Sequence, residues 1–375
     1  MKLYLSKRRG HTWSKTAAVV IAFAAAAFVW VDSASVSRGA PASASPGDLQ
    51  AQLDAVQPGG TLKLEPRVYT HGEVLKLRVP GVHIDGNGAT LQATNDETSA
   101  VQIVADGVQL SNVTLTAPTG GKRWSGLDQH KLVVSGGQDS VTHVSIVGSA
   151  AAGIFVKGAN GFKISDVDVT GTRADGIHMT DGSNHGTVDN VRTSQTGDDG
   201  VAVVSYAADG QPCSDIRVNH VNVAGTTWGR GISVVGGRNI AISDFSAADT
   251  SAAGVYVASE GGYDTDSVEG VTISDGNLAR VNHDPGVVQG AILVFSGNPG
   301  KHVSGVQISR VSIVGTPDSA TRNVGVVADG GDLDGISLAD ISIRDPQLPA
   351  FFTNAPAGSV STSGWALQGG PLTEN

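Results

Sequence analysis

Ala174-Asp175-Gly176-Ile177-His178, Gly197-Asp198-Asp199-Gly200-Val201 and Trp228-Gly229-Arg230-Gly231-Ile232 are three versions of one phrase. Each sets a charged residue before a glycine and an aliphatic run after it. Aligning the chain on that glycine gives a column of Gly153, Gly176, Gly200, Gly231, Gly254 and Gly290, with steps of 23, 24, 31, 23 and 36 residues. A residue recurring at such steps marks a stacked repeat. The position before the glycine reads Ala152, Asp175, Asp199, Arg230, Ala253 and Gln289, bland at the ends and charged in the middle.

A second register supports the repeat. Residues 141–146, 162–169, 187–193, 215–223, 239–245, 270–278, 305–313 and 335–343 resemble one another, and several carry an apolar-Ser-charged-apolar core such as Ile164-Ser165-Asp166-Val167. No intervening stretch has the length or the 3.6-residue period of a crossover helix. Short β-branched runs alternate with Gly, Asn and Asp, the pattern of strands and turns. The fold class is therefore all-β: a right-handed parallel β-helix of nine or ten coils, with one strand set per coil pairing about 4.8 Å from the next. Residues 48–53 predict a short helix that covers the open edge of the first coil. From Pro346 the repeat fades, and 345–375 reads as an irregular C-terminal cap with Phe351, Phe352 and Trp365 in it.

Strand periodicity assigns faces. Ile154/Val156, Ile177/Met179, Val201/Val203, Ile232/Val234 and Val255/Val257 point inward. Phe155, His178, Ala202, Ser233 and Tyr256 point outward onto one face. Insertions at 119–131, 205–214, 260–268, 282–288 and 298–303 are expected to wall that face into a groove.

Composition narrows the function. The net charge of −10 and the absence of a basic face argue against a nucleic-acid partner. Cys213 is the sole cysteine, so neither a disulfide framework nor a thiolate metal cluster is expected. Residues 1–44 read as a signal peptide or an N-terminal anchor. Basic Lys2, Lys7, Arg8, Arg9 and Lys15 precede an apolar run from 16 to 31, and Ala42-Ser43-Ala44 is a candidate cleavage site. Either reading places residues 45–375, one β-helix domain, outside the cytoplasm, with membrane attachment only through 16–31. A secreted or cell-surface monomer acting on a cell-wall glycan is the resulting expectation.

Stacking puts Asp175 and Asp199 in one phase of adjacent coils, with Asp198 beside them. Three carboxylates that close cannot all ionise freely, so at least one pKa should rise, as suits a general acid. Paired carboxylates are the machinery of glycoside hydrolysis. Arg230, one coil on, is placed to bind a sugar hydroxyl or steady a carboxylate. His178, Ser233, Tyr256 and Trp228 border the group as substrate-binding candidates, and Trp124, Tyr206 and Tyr263 lie in or beside the groove walls. Asp-Gly also serves turns on its own account. Asp181, Asp209 and Asp215 lack the ligand spacing of a calcium loop, so no cofactor is expected; Ca²⁺ is the one ion considered.

The ordered set Asp175-Gly176, Gly197-Asp198-Asp199 and Gly229-Arg230-Gly231 resembles the polygalacturonase-type glycoside hydrolases, a pectin-lyase-like family of right-handed parallel β-helices. The resemblance covers about sixty residues. It implies Asp198 as general acid, with Asp175 and Asp199 activating the water that inverts the anomeric centre. Arg173-Ala174 stands where that family has Asn-Thr, Arg230 where it has His, and Tyr256 and Ala258 where it has a cationic carboxylate clamp. Loss of the clamp points away from polygalacturonate, since each charge-assisted bond is worth about 1.5–3 kcal/mol. A lyase or epimerase on the same fold, and a non-catalytic glycan-binding β-helix, are the competing readings.

Overall fold

The computed structural model describes residues 46–344 and 348–368. The expected signal or anchor at 1–44 lies outside them. Within the described residues no helix is long and apolar enough to cross a membrane.

The chain winds into about eleven coils, one or two more than the sequence predicts, because the terminal coils are short and carry no glycine of the column. Its strands pair in parallel in two long sheets, one of 15 strands and one of 11. The smaller sheet contains Ile154–Lys157, Ile177–Thr180, Val201–Val204, Ile232–Val235, Val255–Ser259, Ile292–Ser296 and Val324–Ala328. Their register aligns Ile154, Ile177, Val201, Ile232, Val255, Ile292 and Val324. These residues and their i+2 neighbours are buried to 1% exposure or less and form one wall of a single aliphatic core.

The larger sheet carries the second register in long strands such as Lys163–Thr172 and Thr187–Thr196. These are not flat. Asp166, Asn190, His220, Asp244, Asp275, Arg310 and Asp340 each sit at a φ between 50° and 60° and drop out of the strand register. A left-handed residue turns the chain, and Asp and Asn enter that region at low cost. The apolar-Ser-charged-apolar core is thus a corner, where the sequence alone reads a strand.

Both ends are closed. The helix Pro46–Ala55 buries Leu49 and Leu53 against the first coils. The Gln50 amide pairs with the backbone of Lys76, accepting from its N–H at 2.8 Å and donating to its carbonyl at 3.0 Å, so the exposed sheet edge is satisfied. At the other end the region expected to be irregular still contains strands. Phe351–Thr353 extends the smaller sheet, and Val360–Ser363 and Ala366–Gln368 extend the larger. Phe351 meets Trp365 edge-on, and the indole N–H donates to the Leu338 carbonyl at 3.0 Å.

Candidate active site

Close approach between coils explains the glycine column. A Cβ on Gly176 would lie 2.5 Å from the Gly200 carbonyl oxygen, and one on Gly200 would lie 2.6 Å from the Val223 methyls. The column needs one correction. Gly290 ends a loop, at φ +87°, and Ala291 takes the aligned place. A hydroxyl ties each turn before the column. Ser149, Thr172, Thr196, Thr226 and Thr250 donate to the carbonyls of Ala152, Ala174, Asp198, Gly229 and Ala252 at 2.6–2.7 Å. Each turn is fixed this way, and with it the side chain it presents.

The turns bring Asp175, Asp198 and Asp199 together, as expected. One oxygen of each lies within 4.8 Å of the others, and all three residues are buried. They differ in partners. Asp175 Oδ2 accepts from His178 Nδ1 at 2.9 Å, and its Oδ1 accepts the Asp199 N–H at 3.0 Å. Asp199 Oδ1 accepts the Arg230 N–H at 2.6 Å, and its Oδ2 accepts the Ser233 hydroxyl at 2.5 Å. The side chain of Asp198 has one partner among the described residues, Arg123 Nη2 at 2.7 Å.

These differences separate the acids. Burial pushes Asp175 up, but the His178 hydrogen bond, the charges of His178 and Arg123 and the Asp199 N–H outweigh it and hold the carboxyl below its ordinary value. Burial, then the neighbouring Asp175 and Asp199, push Asp198 well above it, against Arg123 and Arg230. Burial raises Asp199 too, with Arg230 opposing and Asp175 adding. Asp198 is the group most inclined to keep a proton at neutral pH.

Arg230 is neutralised twice. Its Nη1 lies 3.8 Å from Asp199 Oδ1, and its Nη2 is 3.1 Å from Glu260 Oε1. The guanidinium rests 4.3 Å over the Tyr256 ring, and the Tyr256 hydroxyl donates to Glu260 at 2.8 Å. Here the outward face departs from expectation. Tyr256, Ser233 and Ala202 are each 1% exposed. Tyr256 is covered by Arg230 and bonded to Glu260, and Ser233 is turned to Asp199. Neither presents a surface to a ligand; both support the acids. His178 is half-buried and stacks on Phe155 at a centroid distance of 5.1 Å, and Phe155 in turn stacks on His130 at 3.9 Å. Trp228 is 46% exposed, with the Arg123 guanidinium 5.8 Å from its ring, so these two form a rim.

Arg123 and Glu260 are the site residues that sequence reasoning missed. Both lie in insertions placed as groove walls, and that is the only signal either carried. Tyr206 borders the acids, and burial followed by the charge of Asp175 raises its hydroxyl to about 12. Asp181, Asp209 and Asp215 stay apart from the cluster. Asp181 pairs with Lys157, Asp209 accepts the Tyr206 N–H and Asp215 accepts from Asn239. The three clustered carboxylates are near enough to share a cation, although Arg123 and Arg230 already supply positive partners.

A family model described as a right handed beta helix region matches residues 80–332. The chain belongs to this right-handed β-helix family. No curated protein sequence matches it. Among solved structures the β-helix is similar to the catalytic domain of Agl-KA, with a TM-score of 0.68, 16% identity, and 88% of this chain against 66% of that one. It is similar to the catalytic domain of a GH87 alpha-1,3-glucanase in complex with nigerose (TM-score 0.61, 15% identity, 86% against 63%). Aspartate-to-alanine variants of a GH87 alpha-1,3-glucanase, bound to nigerose or tetrasaccharides, match likewise. A third likeness is to the A-module of the mannuronan C-5 epimerase AlgE6 of Azotobacter vinelandii (TM-score 0.57, 15% identity, 87% against 94%). At these identities the likeness concerns the fold. The chain spans less than two thirds of the first two domains.

Proposed function

We propose that this β-helix is an extracytoplasmic glycoside hydrolase that cleaves a polysaccharide with Asp198 as general acid and a water held by Asp175 and Asp199. The observation that carries this reading is the buried triad in which Asp198 is pushed furthest up, Asp199 is raised as well and Asp175 is held down. Two titratable groups driven apart in this way are an acid and a base by environment. The substituted aspartates in the GH87 variants support it: they are spaced 23 residues and then one residue apart, the spacing of Asp175, Asp198 and Asp199.

The proton path uses this chain's own groups. Asp198 gives its proton to the glycosidic oxygen as the bond to the anomeric carbon breaks. Water attacks that carbon and loses its proton to an ionised carboxylate, which leaves Asp198 to be reprotonated. Two observations bear on the stereochemistry and pull apart. The clustered oxygens, within 4.8 Å, are nearer the roughly 5–5.5 Å of a retaining pair than the roughly 6.5–9.5 Å of an inverting one. Yet both oxygens of Asp175 and both of Asp199 accept bonds from protein donors, which weakens either as a nucleophile toward carbon. The second favours direct attack by water, hence inversion. Tyr256 and Ala258 offer no cation at the place of the family clamp, in keeping with a substrate other than polygalacturonate.

One feature favours lyase or epimerase chemistry as a second reading. His178 Nδ1 is held by Asp175, and Nε2 carries no partner among the described residues, an arrangement suited to removing a proton from carbon. Reducing-end release separates the readings on a panel of α-1,3-glucan, other neutral glucans and mannuronan, with the protein beside Asp198→Asn. Release without unsaturated ends, by the protein and not by the variant, supports the hydrolase. Unsaturated or epimerised product without hydrolysis supports the second reading. Binding without turnover in both proteins leaves a non-catalytic glycan-binding β-helix.

A further inference from the structure

Two arginines are buried among the described residues. Arg173, at 8%, pairs with Asp96 at 2.6 Å. Arg322, at 7%, has no carboxylate oxygen within 4.0 Å among the described residues. Its one hydrogen bond runs from Nη2 to the Val288 carbonyl at 3.2 Å. Its Nε is sealed from solvent without a partner, whereas Nη1 is unbonded and not sealed. Buried charges are ordinarily paired, because an uncompensated one costs several kcal/mol. Burial pushes this guanidinium below its ordinary value.

The register places Arg322 in the column of the active site. Two residues before the aligned Ile177, Val201, Ile232, Val255, Ile292 and Val324 stand Asp175, Asp199, Arg230, Ala253, Gly290 and Arg322. Arg322 is therefore four coils from Asp199, about 19 Å at the usual strand spacing. The side chain is cradled. A Cβ on Gly325 would lie 2.6 Å from Arg322 Nε, so the glycine leaves room for the arginine side chain there. Beside it the Phe352 ring, 41% exposed, stands 5.4 Å from the Arg322 Cζ. A planar cation that rests over a half-exposed aromatic ring, with no carboxylate partner among the described residues, matches the two halves of an acidic sugar, its oxyanion and its apolar ring face.

We infer that Arg322, Gly325 and Phe352 form a second glycan subsite that takes a sugar carrying an oxyanion, a uronosyl carboxylate or a sugar sulfate. The inference rests on the glycan-acting reading for the nature of the ligand. It deepens that reading into a heteropolysaccharide whose acidic unit sits away from the bond cleaved.

Calorimetric titration of the full chain tests it. The probes are an oligoglucuronate, a sulfated glucan oligosaccharide, the same oligosaccharide unsulfated, and sodium sulfate. At least one acidic oligosaccharide should bind tenfold or more tightly than the neutral one, and more weakly as salt rises. Arg322→Gln should erase that preference, and Asp198→Asn should retain it. Should Arg322→Gln not fold, Arg322→Lys serves: it keeps the charge, loses the planar fork and should bind several-fold more weakly. Equal binding of acidic and neutral probes, or unchanged binding by the Arg322 variant that folds, overturns the subsite. Inorganic sulfate bound as tightly as the acidic sugars overturns its glycan character. The readout is binding, so acidic sugars held through Arg322 without any cleavage would sink the hydrolase and leave the subsite standing.

Discussion

The β-helix carries two ladders of charged residues that look alike in sequence and differ in physics. One is the left-handed corner of the larger sheet, with Asp166, Asp244, Asp275, Arg310 and Asp340 stacked coil on coil. The other is the turn before the glycine column, with Asp175, Asp199 and Arg230. The corner ladder faces water. Asp275 accepts two bonds from Arg310 at 2.7 and 2.8 Å, and this pair is open to solvent. A shallow groove of about 410 Å³ runs along that corner past Asn190, His220, Asp244 and Asp275. Its aspartates serve the backbone turn. The turn ladder is buried, and there each carboxylate raises its neighbour's proton affinity while Arg123, Arg230 and the His178 hydrogen bond lower it. Burial, more than residue type or repeat phase, makes a stack of acids into chemistry.

The largest contrast between the ladders should appear in turnover. Asp198→Asn should cut kcat by about 10²–10⁴-fold, the usual worth of a general acid. Asp275→Asn should leave kcat unchanged on the same substrate. An equal loss from both would erase the distinction.

Next in size is the packing that holds the buried ladder. Gly200→Ala puts a methyl against Val223 and the Gly231 carbonyl, and should cost about 1–3 kcal/mol by denaturant unfolding. Activity should fall further than stability, because Asp199 moves with that turn. A fully active, undestabilised Gly200→Ala would show that the close approach is not needed.

A smaller effect runs the other way. An acid whose folded pKa is raised binds more protons folded than unfolded, so its stabilisation is present at low pH and lost as pH rises through the folded value. Asp198 is such a group. At pH 7 Asp198→Asn should therefore melt a few degrees above the unsubstituted protein. That gain should vanish below the ordinary carboxylate pKa of about 3.9, where Asp198 is protonated in both states. A variant less stable at pH 7 would mean that Arg123 stabilises the charge more than the neighbouring acids oppose it. The smallest effect belongs to the corner: Asp275→Asn keeps a residue that tolerates the left-handed region, and its Tm should not move.

Much of this was legible in the sequence, for a physical reason. Stacked coils repeat their contacts, so the glycines that admit the next coil's carbonyl recur and carry Asp175, Asp199 and Arg230 into phase. Insertions have no period. Arg123 and Glu260, which partner Asp198 and Arg230, come from such insertions and left no pattern. The outer face misled because alternation tells which side of a strand a residue occupies and not what covers it. Tyr256 and Ser233 point out of the core, but lie beneath Arg230 and against Asp199. The Ser-Asp corners left a signal, a three-residue step between buried apolar residues such as Ile164 and Val167, that a reading in short β-branched runs absorbs into one strand.

The central claim is that Asp198 holds a proton at neutral pH, and difference infrared spectroscopy reads this without a substrate. The protein minus Asp198→Asn at pH 7 should show a protonated carboxyl band that disappears at high pH. Asp139, which burial raises to about 6, cancels in that difference. A difference showing only ionised carboxylate at pH 7 would contradict the assignment of Asp198 as the acid.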